Sequence, residues 1–136
     1  MSITSLRISG SGLNAERARL DTISRNLANA ETTRRADGKP GPYRRQMVVF
    51  QALTSESGQP GGVKVADTVE STAELKMVHL PSHPDADGDG NVALPNVNTI
   101  EEMVDMIAAT RAYEANVGAA NATKSMISRA IDLGRL

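Results

Sequence analysis

A chain of 136 residues with a net charge of −1 is long enough for one folding unit and has no overall field drawing it to nucleic acid or membrane. It has no cysteine, which removes disulfides and thiolate metal ligands, and its three aromatics (Tyr43, Phe50, Tyr113) are too few for a dense aromatic core. No apolar run approaches the roughly 18 residues of a bilayer-spanning helix, and the opening MSITSLRISGSG lacks the charged-then-apolar order of a cleaved secretory signal.

Leu6, Leu13, Leu20 and Leu27 recur every seven residues, with Ile3, Ile23 and Ala30 beside them, which predicts a helical seam. Gly10 and Gly12 each cost a helix about 1 kcal/mol relative to alanine, so the stable part is expected to begin near Leu13. From Glu31 to Pro42 the chemistry is that of a loop, with Gly38, Pro40, Gly41 and Pro42. Tyr43 to Ala52 is rich in β formers and predicts a strand. Residues 54–62 are a flexible loop. Val63, Val65 and Val69 mark a second strand, and Leu75 to Leu80 a third. Pro81 to Asn91 is a turn region, after which Val92 to Val97 leads back into helix.

That last helix is expected over Thr99 to Leu133, with Asn98 or Thr99 as cap, a Thr99–Glu102 capping-box spacing and Gly134 as the stop. Ile100, Met103, Val104 and Ile107 open an apolar row that Val117, Ala120, Ile127 and Ile131 continue. Alanines fill the span between. They bury little area each, so the helix needs a companion, and the leucine row of the first helix is the expected one. By segment, residues 1–30 carry +2, 31–60 carry +2, 61–98 carry −4 and 99–136 carry −1, so the helical ends are weakly complementary.

The stretch Arg25-Asn26-Leu27-Ala28-Asn29-Ala30-Glu31-Thr32 resembles the N-terminal signature of the bacterial flagellar rod and hook family. Pro95-Asn96-Val97-Asn98, Glu102-Met103-Val104 and Ala112-Tyr113-Glu114-Ala115-Asn116-Val117 are similar to its C-terminal signature. Gly62-Val63-Lys64-Val65 and His83-Pro84-Asp85-Ala86-Asp87 resemble its proximal rod members, although the passage from Thr33 to Pro42 is longer than in many relatives. The resemblance runs from end to end. It implies terminal helices that pack into an inner tube, a small β-rich part outside it, and export as an unfolded chain through the flagellar type III apparatus without a cleaved signal. It also implies residence in the basal-body rod across the periplasm. Implied partners are other rod proteins, copies of the chain itself, and neighbours at the MS ring and export gate; nucleic acid and membrane insertion are not among them.

Other chemistry is weaker. Asp85, Asp87, Asp89, Gly90 and Val92 match the first eight positions of a calcium loop, but the twelfth is Asn96 rather than a bidentate glutamate, and Pro84 and Pro95 forbid the flanking helices. His79 and His83 are separated by Pro81 and share no helix face. Arg34, Arg35, Lys39, Arg44 and Arg45 form a basic cluster that is expected to meet acids such as Glu70, Glu74 or Asp85 to Asp89 of a neighbouring subunit. Asn26, Asn29, Asn116 and Asn121 are mediocre helix formers, and buried they would fix the register between helices. No nucleophile–base pair or phosphate loop is visible, and no cofactor is expected.

The sequence therefore predicts an α+β fold: long N- and C-terminal helices paired as a coiled-coil-like core (1–31 and 98–136) and a middle segment of short hairpins (32–97). The function expected is that of a structural subunit, not an enzyme, which passes torque through helical assembly. A calcium-binding module on the Asp85–Asn96 loop is the alternative. Packing and assembly are expected to rest on Leu6, Leu13, Leu20, Ile23 and Leu27 with Met103, Ile107, Val117, Ile127 and Ile131. The motif residues carried by the resemblance are Asn26, Leu27, Ala28, Asn29, Ala30, Tyr113, Asn116 and Val117.

Overall fold

A computed structural model describes residues 2–55 and 58–135; Met1, Leu136 and Glu56-Ser57 of the predicted 54–62 loop lie outside the described residues. The elements in chain order are α1 (Ser2–Ala28), β1 (Gln46–Thr54), β2 (Pro60–Glu70), β3 (Lys76–His79), β4 (Asn91–Leu94) and α2 (Thr99–Gly134). The strands form two antiparallel hairpins, β1 with β2 and β3 with β4. This is the α+β arrangement of two terminal helices around a small β middle.

Helix α1 starts at Ser2, eleven residues before the expected Leu13. Of its two glycines, Gly12 is explained by what stands beside it, while Gly10 has open space around it. A Cβ on Gly12 would come within 2.9 Å of the Asn116 amide, so a side chain there would displace that amide from its place between the helices. At the preceding residue the β1–β2 hairpin docks on the same helix: Ser11 Oγ donates to Ile8 O at 2.7 Å and accepts from Val63 N–H at 3.1 Å. Gly62, at φ +116, lies so close that a Cβ would fall on Ser11 Oγ. Tertiary contact supplies what helix propensity in these turns lacks.

The expected strand from Tyr43 begins three residues later, because Tyr43 and Arg45 give their backbone N–H groups to Thr32 O and Asn96 Oδ1 rather than to a ladder. Asn91–Leu94 is a strand where the end of a turn at Asn91 and a passage into helix from Val92 are expected: Val92 pairs with Val78 and is buried. At the start of α2, Asn98 is the cap, its Oδ1 accepting from Ile100 and Glu101 N–H. The Thr99–Glu102 capping box does not form, since the Glu102 side chain turns inward. Gly134 stays within the last turn, and Arg135 caps it through Asp132 O.

The face by which the helices pair differs most from expectation. On α1 the buried positions are Ser9, Ala15, Thr22, Ile23 and Asn26; on α2 they are Glu102, Ala109 and Thr123, with Asn116 half-buried. Glu102, Ala109, Asn116 and Thr123 are spaced by sevens, so α2 does present a heptad seam, but a small and polar one. Small side chains let the two backbones approach closely. The leucine row lies to one side of this seam: Leu6 is exposed, and Leu13, Leu20 and Leu27 are half-buried. The apolar row of α2 faces away from α1, with Met103, Ile107, Val117 and Ile131 exposed and Ile127 half-buried.

Candidate assembly site

The seam ends in a buried polar knot where both helices, the first hairpin and the linker before α2 meet. Its centre is the carboxylate of Glu102, which is fully buried. A buried charge is tolerated only when it is paired and hydrogen-bonded. Glu102 meets both conditions: Arg45 Nε donates to Oε1 at 2.5 Å and Asn26 Nδ2 to Oε2 at 3.0 Å. Arg45 also reaches Asp105 at 3.2 Å, and Asp105 faces Arg19 of α1 at 3.6 Å.

Asn26 uses its whole amide. Nδ2 also donates to Gln46 O at 2.9 Å, and Oδ1 accepts from Gln46 N–H at 2.9 Å and from the Tyr43 hydroxyl at 2.8 Å. It thereby pairs with the first residue of β1 as another strand would. Burial pushes the Tyr43 phenol above its ordinary range, which keeps it a donor. Asn96 closes the knot from the linker, accepting from Arg45 N–H and donating to Ala73 O at 3.0 Å.

Of the four asparagines expected to fix register, Asn26 alone is buried in the knot. Asn29 donates to Arg25 O and accepts from Thr32 Oγ1, which finishes α1. Asn116 bonds Ala112 O within its own helix beside Gly12, and Asn121 is exposed. Among the other motif residues Leu27, Ala30 and Tyr113 are half-buried, while Ala28 and Val117 are exposed. Sequence reasoning missed Glu102 and Arg45 as a pair. The available signal was Glu102 standing seven residues before Ala109, at a helical spacing where an apolar residue is usual.

The basic cluster is spent inside the subunit, which corrects the expectation that it meets a neighbour's acids. Arg34 pairs with Asp85 at 2.7 Å, Arg35 with Glu70 and Asp37, and Arg44 with the Ser71 and Ala73 carbonyls. These bonds hold the 33–42 linker against both hairpins. The Arg35 guanidinium holds the carboxyls of Glu70 and Asp37 below their usual range, and Arg34, then Thr33, do the same for Asp85. A carboxyl whose folded pKa is depressed contributes stability above its unfolded value and loses it as pH falls through the folded one. The linker should therefore be fully held above about pH 4–5, where free carboxyls are ionised, and loosen below that. Amide shifts of Thr33–Lys39 followed by NMR should titrate together with the Glu70 and Asp85 carboxyls.

The calcium alternative fails on the same geometry. Asp85 is turned to Thr33 and Arg34, Asp87 Oδ1 accepts the N–H groups of Asp89 and Asn91 in a tight turn, and Asn96 is committed to the knot. The donors do not converge, and among the described residues no cluster of three His, Asp or Glu is placed to hold a metal. His79 and His83 are likewise apart in role: His79 Nδ1 faces Asn91 Oδ1, and His83 Nδ1 accepts from Asp85 N–H. No described helix is long and apolar enough to cross a membrane.

Both ends that build this knot match known families. Residues 6–34 match the model described as flagella basal body rod protein, and residues 89–133 that of flagellar basal body rod FlgEFG protein C-terminal. The chain is 44% identical to the flagellar basal-body rod protein FlgC of Bacillus subtilis strain 168, over 96% of this chain and 97% of that one. It is 44% identical to FlgC of Escherichia coli O6:H1 and 42% to FlgC of Borreliella burgdorferi, each over 94% of both chains. With matches of this extent, and with terminal helices locked at one end and apolar on the outside, the chain belongs to the FlgC family of flagellar basal-body rod proteins and is a structural subunit of that rod.

Proposed function

We propose that the chain carries torque by packing its terminal helices against those of neighbouring rod subunits, copies of itself included, while the knot keeps the two helices of each subunit acting as one rigid piece. One observation carries this: the helices pair through a small, polar seam, which leaves the larger apolar residues of α2 facing outward, Ile107 at 60% exposed among them. An exposed row of this size is stabilised only by burial against another surface. Leu6, Leu13, Leu20 and Leu27 on α1, and Met103, Ile107, Val117, Ile127 and Ile131 on α2, are the residues assigned to these contacts, with Ile23 fixing the pair from within. Neighbours at the MS ring and export gate, and passage through the type III apparatus without cleavage, complete the reading.

Ile107→Asp in a strain lacking the native gene tests it. The free chain should melt within about 0.5 kcal/mol of the parent, as an exposed substitution does. Secretion should persist, and rods and swimming should be lost. Normal swimming would sink the reading.

A further inference from the structure

The helix pair is flush at one end and staggered at the other. Asn26 reaches Glu102, and Gly12 lies against Asn116, so the same fourteen-residue step separates the two contacts on both helices. Continued along this antiparallel register, Ser2 falls opposite Met126. The last eight residues of α2, 127–134, thus run about 12 Å past the first described turn of α1. No part of α1 lies beside them, and their large apolar side chains are open, with Ile131 at 57% and Leu133 at 72% exposed.

We propose that these last two turns dock onto a second copy of this chain, on the outer face of its first two α2 turns. This rests on the rod reading above and names the surfaces that meet. The receiving face offers Ile100, Met103, Val104 and Ile107, an i, i+3, i+4, i+7 row about as long as the overhang. Between the two ends, residues 108–126 include seven alanines, and their exposed large apolar side chains, Val117 and Met126, stand nine residues apart and form no comparable row. Charge favours the same pairing. In and just past the overhang Arg129 and Arg135 outnumber Asp132, whereas Glu101 borders the receiving row. Two copies joined tail to tail would set one net-positive end against another. Because the donating and receiving surfaces differ, the contact propagates from copy to copy instead of closing a pair.

The chain has no cysteine, so an introduced pair reports alone. In the chain carrying Ile131→Cys and Val104→Cys together, oxidation of the concentrated protein and of purified basal bodies should give a ladder of dimers and higher multiples. Each single variant should stay monomeric. Adding Glu101→Lys should lower the cross-linked fraction about fivefold, the fold-change of about 1 kcal/mol, and Arg129→Glu in the same chain should restore it. A dimer from Ile131→Cys alone, a bond from position 131 to a different rod protein, or no 131–104 bond in either sample overturns the proposal. The unsubstituted chain is scored separately in purified basal bodies: its absence there sinks the rod reading, and its presence without the 131–104 bond sinks only this docking.

Discussion

Replacing Asn26 with alanine should cost the free chain about 3–5 kcal/mol, several times the effect at Asn29. The side chain is buried, and its four hydrogen bonds reach three different elements. Truncation leaves the N–H and C=O of Gln46, the Tyr43 hydroxyl and one oxygen of Glu102 short of partners. Each orphaned buried polar group costs about 1–3 kcal/mol, offset in part by entering water. Against a total stability of about 5–15 kcal/mol, the melting midpoint followed by circular dichroism should fall by about 10–15 °C. Asn29→Ala, which removes local bonds at an exposed helix end, should cost about 1 kcal/mol or less. Asn26→Asp is the sharper test. It keeps the acceptor but sets a second carboxylate against Glu102. The new carboxyl then has a folded pKa above its unfolded one, so the loss of stability relative to the parent should be smaller near pH 4 than near pH 8. A parent-like melt for Asn26→Ala would show that the knot does not hold the helices.

What could be read from the sequence follows from how local each signal was. The α2 boundaries came from Asn98 and the absence of a breaker, both of which act within a turn, and they hold to within a residue. The leucine heptad was a sound reason to expect a helix over α1 and a misleading guide to its covered face. Periodicity reports that a face is apolar; it does not say whether the covering partner is in the same chain. In this chain the larger apolar side chains of α2 lie outside the pair, and the intramolecular seam falls to Ala15, Thr22, Ala109 and Thr123, whose small size carries no hydrophobic signal. Glu102, Arg45 and Asn96 were illegible for a different reason. They are 57 and 51 residues apart in their two contacts with Arg45, and each had a plausible local role — helix cap, surface cation, loop ligand — that only the tertiary fold overrides. The β3–β4 hairpin was half visible, since Asp87 and Gly90 mark its turn while Asn91–Leu94 is too short for a pattern.

The seam's dependence on small residues gives the second large effect, and one substitution tried at adjacent positions isolates it. Ala109→Leu should cost about 3 kcal/mol, whereas Ala108→Leu should change stability by about 0.5 kcal/mol or less. Alanine and leucine differ little in helix propensity, so the contrast measures space. Ala109 is fully buried midway between the Glu102 and Asn116 contacts, at the register of Arg19, and Ala108 faces outward. Three added carbons at 109 have nowhere to go between two backbones held this close. The helices must separate, which draws Glu102 from Asn26 at one end and Asn116 from Gly12 at the other. The loss should therefore exceed a simple overpacking cost, and Ala109→Leu combined with Asn26→Ala should destabilise by less than the two effects taken separately, because the first already weakens the knot. Urea midpoints of the four chains decide it: equal midpoints for the 108 and 109 variants, or strict additivity with Asn26→Ala, would mean that seam and knot are independent.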